Sequence, residues 1–185
     1  MKRKDFLKLS SASALLFGLK SNTANLYNSN ESYDYKKNNS QYMGDFSAPK
    51  LDVVKVAFIG VGARGSGHAK QIAAIEGTEV VGISDLYKDL AEKSSIICQE
   101  IGNGKRHRNI AIYSGNKNKW IAMLEEVKPD AVFISTNWDN HAPMAIQTMK
   151  SGAHAFVEVP MATTIEDLWD IVNTSEKTRR HCMMM

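Results

Sequence analysis

Residues 53–68 read VVKVAFIGVGARGSGH, and this stretch decides the fold. A β-branched, apolar run ends in Gly60-Val61-Gly62-Ala63-Arg64-Gly65, a G-x-G-x-x-G that closes a strand and opens a helix. The three glycines do different mechanical work. Gly60 permits the tight turn, Gly62 lets backbone approach a pyrophosphate, and Gly65 lets the helix pack closely on the strand. Phosphates would then lie on the free N–H groups and positive dipole end of that helix. A second strand, Glu79 to Ser84, follows with Asp85 at its carboxyl end, at the spacing the motif demands. A carboxylate there accepts hydrogen bonds from ribose hydroxyls and repels a 2′-phosphate. Leu86 and Tyr87 add no arginine, so NAD is favoured over NADP. The plainer alternative makes Asp85 a cap of the helix that begins near Lys88.

Outward from this unit the pattern alternates. The helix opened by the glycine motif is expected to continue from Ala69 to Glu76, and further helices are expected at Asp89 to Ile101, Lys117 to Val127, His141 to Ser151 and Thr164 to Thr178. Strand is expected at Ile110 to Tyr113, Asp130 to Ser135, Ala153 to Val157 and Arg180 to Met184. Such alternation implies right-handed crossovers and an α/β fold with a doubly wound parallel sheet, a Rossmann-type NAD-binding domain. In these sheets ligands bind outside the carboxyl ends of the strands. Those ends carry Gly60 to Gly65, Asp85, Thr136 to His141, and Glu158-Val159-Pro160. For Trp138, Asp139, Asn140 and His141 two readings stand. One is a helix start in which Asp139 or Asn140 caps; the other is a wall for the nicotinamide, with an aromatic against the ring and His141 donating a hydrogen bond. Glu158 alone reads as a strand-end carboxylate beside a turn.

At 185 residues with 43% hydrophobic content the chain can build one substantial core. Eight of the 23 Lys and Arg, but four of the 20 Asp and Glu, fall in residues 1–50, so the rest is near neutral despite a net charge of +3. That argues against a nucleic-acid surface. The basic run Lys105-Arg106-His107-Arg108 reads as a solvated loop. Cys98 and Cys182 read as core thiols, and the scattered histidines give no metal spacing.

Residues 1–24 have the layout of an export signal: a basic start, then a short apolar run from Ala12 to Leu19 that is too short for a stable membrane span. The order Arg3-Lys4-Asp5-Phe6-Leu7-Lys8 resembles a twin-arginine signal with lysine in place of one arginine. A periplasmic location is expected. Residues 25–50, rich in Asn, Ser, Tyr and Lys, read as a disordered linker, and residues 51–185 as the NAD-binding domain.

The segments IGVGARG (59–65), SDLYKD (84–89), STNWDNHAPMAIQTMKSGAHAFVEVPMATT (135–164) and RHCMMM (180–185) together resemble the Gfo/Idh/MocA family of nicotinamide enzymes. Within it they are most similar to glycoside hydrolase family 109, the NAD-dependent α-N-acetylgalactosaminidases. The resemblance implies cofactor contacts at Ala63, Arg64, Asp85, Trp138 to His141, Glu158 and Val159. It also implies a glycoside substrate and hydrolysis through transient oxidation at C3, elimination and water addition. Dehydrogenases of the superfamily carry E-K-P where this chain has Glu158-Val159-Pro160, and Asn137 stands where the glycosidase family shows proline. The family's catalytic tyrosine and sugar-binding residues would lie beyond the last strand, in a second domain that this chain is expected to lack through truncation. Alone, the chain is expected to bind NAD weakly without turning over a glycoside. A sugar or polyol oxidoreductase and a non-catalytic NAD-binding module are the alternatives, and a homo-oligomer stays open.

Overall fold

The computed structural model describes residues 42–103 and 106–185. The expected export signal and residues 25–41 of the expected linker lie outside the described residues. Six strands form one sheet: β1 Val54–Ile59, β2 Thr78–Asp85, β3 Ala111–Ser114, β4 Ala131–Ile134, β5 His154–Val157 and β6 Cys182–Met184. Their spatial order is β3-β2-β1-β4-β5-β6 and every pairing is parallel. This is the doubly wound order, with its switch point between β1 and β4. The helices are α1 Gly65–Ala73, α2 Lys88–Ile101, α3 Lys119–Val127, α4 Trp138–Lys150 and α5 Ile165–Thr178.

Strand alternation sorts the core into two layers. Val56 and Phe58 of β1 pack with Ala69 and Ala73 of α1 and with Ala91 and Cys98 of α2. Ala57 and Ile59 face the other way, onto Leu124 of α3 and Ala142, Ala145 and Met149 of α4. Phe58, Phe133 and Phe156 line up across β1, β4 and β5, with ring centroids 5.5 and 4.7 Å apart. Gly82 of β2 lies beneath α3, where a Cβ would meet the Met123 side chain at 3.0 Å. Met123 is fully buried and shares a core cluster with Leu124.

Element boundaries differ from expectation where side chains or backbone redirect the ends. Helix α4 begins at Trp138, three residues early, because Asn137 is extended (φ −74°, ψ 152°). Pro143 is tolerated inside it, since its missing N–H frees only the carbonyl of Asp139, an exposed residue of the first turn. Helix α3 starts at Lys119 because the Asn116 side chain accepts from Asn118 N–H at 2.9 Å and holds a turn there. Helix α5 is capped by Thr164, whose Oγ1 accepts from Asp167 N–H at 3.1 Å.

Within the described part of the basic run, Arg108 is exposed as expected but His107 is not. His107 is fully buried; its Nδ1 accepts from Val80 N–H at 2.9 Å and its Nε2 lies 3.0 Å from the Ala73 carbonyl. The Nε2–H tautomer satisfies both partners. Arg106 donates to the Ile75 carbonyl at 2.7 Å. His107 thus serves the Ala73 carbonyl where α1 ends, and Arg106 adds a donor to the Ile75 carbonyl, which Thr78 Oγ1 also serves. His107→Ala is expected to cost about 2–4 kcal/mol, from two lost buried hydrogen bonds and a cavity. A urea midpoint unchanged from the parent would contradict that.

Burial pushes the Cys98 thiol up to about 11 and the Cys182 thiol up to about 12. Thiolate is the reactive form, so native protein at pH 7.5 is expected to resist iodoacetamide and to label at both cysteines only in denaturant. Before β1, Phe46 of the expected linker contacts the His181 ring at 5.2 Å, and the Arg179 guanidinium lies 4.5 Å over it.

Candidate functional site

The carboxyl ends of β1, β2, β4 and β5 meet at one edge, around the turn from β1 into α1. Gly60 takes φ +84°, a conformation that L side chains rarely adopt, and a Cβ there would lie 2.5 Å from the Ser135 carbonyl oxygen. A Cβ on Gly65 would lie 2.0 Å from the Gly60 carbonyl oxygen, so α1 approaches β1 as closely as backbone allows. Gly62 is the opposite case: a Cβ there meets nothing within 4 Å. The first turn of α1 holds no acidic side chain and no side-chain cap, which leaves its positive dipole end unopposed, although Ser66 N–H donates to the Gly62 carbonyl.

Asp85 closes β2 and, with Tyr87 as the N-cap of α2 and no side-chain cap bond there, is not the cap of that helix. Its Oδ2 accepts from Val61 N–H at 2.8 Å and its Oδ1 from Tyr87 N–H at 3.0 Å. One carboxylate thus ties the glycine turn to the β2–α2 turn, and each oxygen keeps a further acceptor site for a hydroxyl. Beside it opens a cleft of about 260 Å³, lined by Gly60, Gly62, Asp85, Leu86, Tyr87, Asn137 and Asn140 among others. Asn116, Lys117 and Trp120 complete its far wall. Lys117 brings a cation near the Asp85 end that no motif in the sequence marks.

A second cavity of about 320 Å³ lies across the glycine turn, lined by Arg64, Ser135, Thr136, Trp138, His141, Glu158 and Val159. Ser135 and Thr136 line both spaces. Trp138 is 62% exposed, whereas His141 is 1% exposed. The His141 Nδ1 lies 2.7 Å from the Pro160 carbonyl and its Nε2 lies 3.1 Å from the Thr136 carbonyl. The ring lies between the loop after β4 and the loop after β5, with a protein carbonyl beside each nitrogen, and a neutral imidazole donates its single N–H to one of them. Glu158 Oε1 lies 2.6 Å from His68 Nε2, and its Oε2 accepts from its neighbour Val159 N–H at 3.1 Å. The hydrogen bond from His68 holds the Glu158 carboxyl below its ordinary value of 4.5, against the opposing effect of burial. Its contribution to stability is thus present above that value and lost as the pH falls through the lowered one.

Of the residues singled out in the sequence, the first cleft gathers Gly60, Gly62, Asp85 and Asn140. The second gathers Arg64, Trp138, His141, Glu158 and Val159. Gly65 is buried beneath the turn; Ala63 and Asp139 are exposed and line neither space. His68 escaped the sequence reading because a lone histidine in a helix carries no signal until its partner, 90 residues away, is beside it.

Two spaces divided by a glycine turn suit a dinucleotide. By the spacing rule the Asp85 side could hold an adenine ribose, which would leave the other side for a nicotinamide. Open space at Gly62 admits a pyrophosphate, and the buried Ser135 hydroxyl has no hydrogen-bond partner among the described residues. An orphaned polar atom between the two halves fits a ligand that spans them. Residues 54–185 match the Gfo/Idh/MocA family, described as an oxidoreductase family with an NAD-binding Rossmann fold. The chain belongs to that family.

Relatives of this Gfo/Idh/MocA chain include glycosyl hydrolase family 109 protein 1 of Akkermansia muciniphila. It is 52% identical over 150 residues, covering 81% of the chain and 30% of the relative. Another is an α-N-acetylgalactosaminidase of Shewanella oneidensis, 40% identical over 183 residues, covering 99% of the chain and 39% of the relative. The chain thus spans about a third of the length of these curated relatives. Among solved structures, scyllo-inositol dehydrogenase of Lactobacillus casei with bound NAD(H) and scyllo-inositol has a TM-score of 0.59 at 19% identity. That match covers 71% of this chain and 36% of that one. Myo-inositol 2-dehydrogenase of Lactobacillus plantarum has a TM-score of 0.60 at 21% identity, over 72% and 36% of the two chains. At these identities the likeness shows the fold alone. Among the described residues no helix is long and apolar enough to cross a membrane, and no group of His, Cys, Asp or Glu could hold a metal ion.

Proposed function

We propose that this domain serves a glycosidase that hydrolyses α-N-acetylgalactosaminides with NAD as an internal redox relay, exported to the periplasm by the residues that precede it. One observation carries the reading: the second cavity is walled by Glu158 and Val159 and no lysine lines it. By the resemblance, dehydrogenases of the superfamily would place a lysine there to help move the substrate proton, and the glycosidase branch tolerates its loss. The names of the two relatives support the same choice.

Bound here, NAD would supply reversible hydride transfer at C3 of the sugar: the transient ketone would acidify the C2 hydrogen for elimination of the glycosidic oxygen, and after water adds at C1 the hydride would return to C3. The chain's own residues make the seat for it. Gly62 leaves room for the pyrophosphate, and the start of α1 offers N–H donors. Asp85, held by two backbone N–H groups, presents its remaining lone pairs to the ribose hydroxyls. His141 fixes the loops that carry Trp138 and Val159, so the wall beside the nicotinamide does not depend on the sugar being bound. The groups that handle the sugar are expected outside these residues, and the 185-residue chain alone is expected to bind NAD without cleaving glycosides.

The test takes the protein that carries this domain, with NAD, and p-nitrophenyl α-N-acetylgalactosaminide in heavy water. Release of nitrophenol with deuterium at C2 supports hydrolysis through oxidation and elimination. NADH accumulating with free sugars and no nitrophenol would make it a sugar or polyol oxidoreductase instead. Binding of NAD with every sugar left unchanged would make it a non-catalytic module.

A further inference from the structure

We infer that His68 is a positioning residue for Glu158: from α1 it holds that carboxylate as a fixed negative charge on the wall of the second cavity. The site thereby prefers an oxidised, cationic nicotinamide over a reduced, neutral one. The inference rests on the reading of this edge as a dinucleotide site with the nicotinamide half in the second cavity.

Three observations converge. His68 Nε2 and Glu158 Oε1 lie 2.6 Å apart, with the two side chains only 25% and 17% exposed, so water competes weakly for either. The other carboxylate oxygen is taken by Val159 N–H, so both oxygens are tied and the carboxylate cannot swing away. Glu158 also lines the space that Arg64, Trp138 and His141 enclose. Arg64 from the glycine turn and His141 across the cavity are the other ionisable groups that face Glu158, and the variants below leave both intact. The nicotinamide ring is positively charged when oxidised and neutral when reduced. A carboxylate fixed beside it therefore acts on one form and not the other, by an amount that partial exposure and Arg64 reduce to on the order of tenfold in relative affinity. A histidine that only strutted α1 against β5 would affect both forms equally.

The experiment measures the dissociation constants of NAD+ and NADH for the 185-residue chain by titration calorimetry, and reads their ratio. The parent is expected to favour NAD+ by roughly tenfold. Glu158→Gln is expected to bring the ratio close to one, and His68→Ala, which frees the carboxylate but keeps its charge, to lower it part of the way, while His68→Gln, which keeps an N–H donor, retains most of it. If the alanine variant does not fold, His68→Leu, similar in volume and without a donor, gives the same reading. A ratio unchanged between the parent and His68→Ala or His68→Leu, whatever the absolute affinities, overturns the inference while leaving the dinucleotide site standing. A parent chain that binds neither nucleotide overturns the site and the inference together.

Discussion

Gly65→Ala is expected to destabilise the domain by more than about 4 kcal/mol, whereas Gly62→Ala, three residues away in the same turn, is expected to melt like the parent and bind NAD about a hundredfold more weakly. The two glycines differ in what surrounds them. A Cβ on Gly65 would lie 2.0 Å from the Gly60 carbonyl oxygen and 2.9 Å from its carbon, both backbone atoms that cannot swing aside. Relief requires lifting α1 off β1 and emptying the contacts of Ala69 and Ala73 with Phe58 and Val56. The cost should exceed about 4 kcal/mol, against a total of about 5–15 kcal/mol for a domain. At Gly62 a Cβ meets nothing within 4 Å, and its φ lies outside the left-handed range. The methyl group then occupies the space through which a pyrophosphate would reach the backbone, and the NAD dissociation constant should rise about a hundredfold, roughly 3 kcal/mol. Thermal melting and titration calorimetry on both variants check this. A Gly62→Ala protein that binds NAD as tightly as the parent would remove the pyrophosphate from this turn.

Asp85→Ala carries the second large effect. Two charge-assisted hydrogen bonds to a ribose, each about 1.5 kcal/mol, correspond to roughly a hundredfold loss in NAD affinity. The change also strips the partner from Val61 N–H, in a residue 2% exposed, which adds about 1–3 kcal/mol of lost stability. A further consequence separates recognition from folding. With the carboxylate gone and Lys117 lining the same cleft, NADP should gain on NAD. Dissociation constants for both nucleotides decide it: an NAD-to-NADP ratio equal to the parent's would mean that Asp85 braces the turns without reading the ribose. Asp85→Asn keeps one oxygen acceptor, so its stability should fall between those of the parent and the alanine variant.

Much of this domain is legible in the amino-acid string alone. The apolar run into Gly60-Val61-Gly62-Ala63-Arg64-Gly65, with Asp85 at the next strand end, announces a strand, a tight turn and a helix, because turn geometry and close packing are local demands that glycine spacing records directly. The alternation of strand and helix declares a parallel sheet for a similar reason, since crossover helices follow from chain direction. The family resemblance lies in the same local segments, and the match over residues 54–185 agrees with it.

Elsewhere the local signal misleads or falls silent. Lys105-Arg106-His107-Arg108 reads as solvent-facing because charge is judged one residue at a time. Its histidine is nevertheless fully buried, drawn in by a carbonyl of α1 and an N–H of β2 that need partners. Trp138 and His141 belong to one short motif yet part company: one is 62% exposed and the other 1%, since the helix turns its first residue outward and its fourth toward the Pro160 carbonyl. The pairing of His68 with Glu158 has no trace in the string, because it joins α1 to the end of β5, and only the sheet order brings those two elements together. Residue type and spacing thus settle the backbone and the nucleotide turn, where the forces act within a few residues. Which polar side chains are buried, and which charges meet, depends on contacts across the sheet whose sequence separation runs to 90 residues.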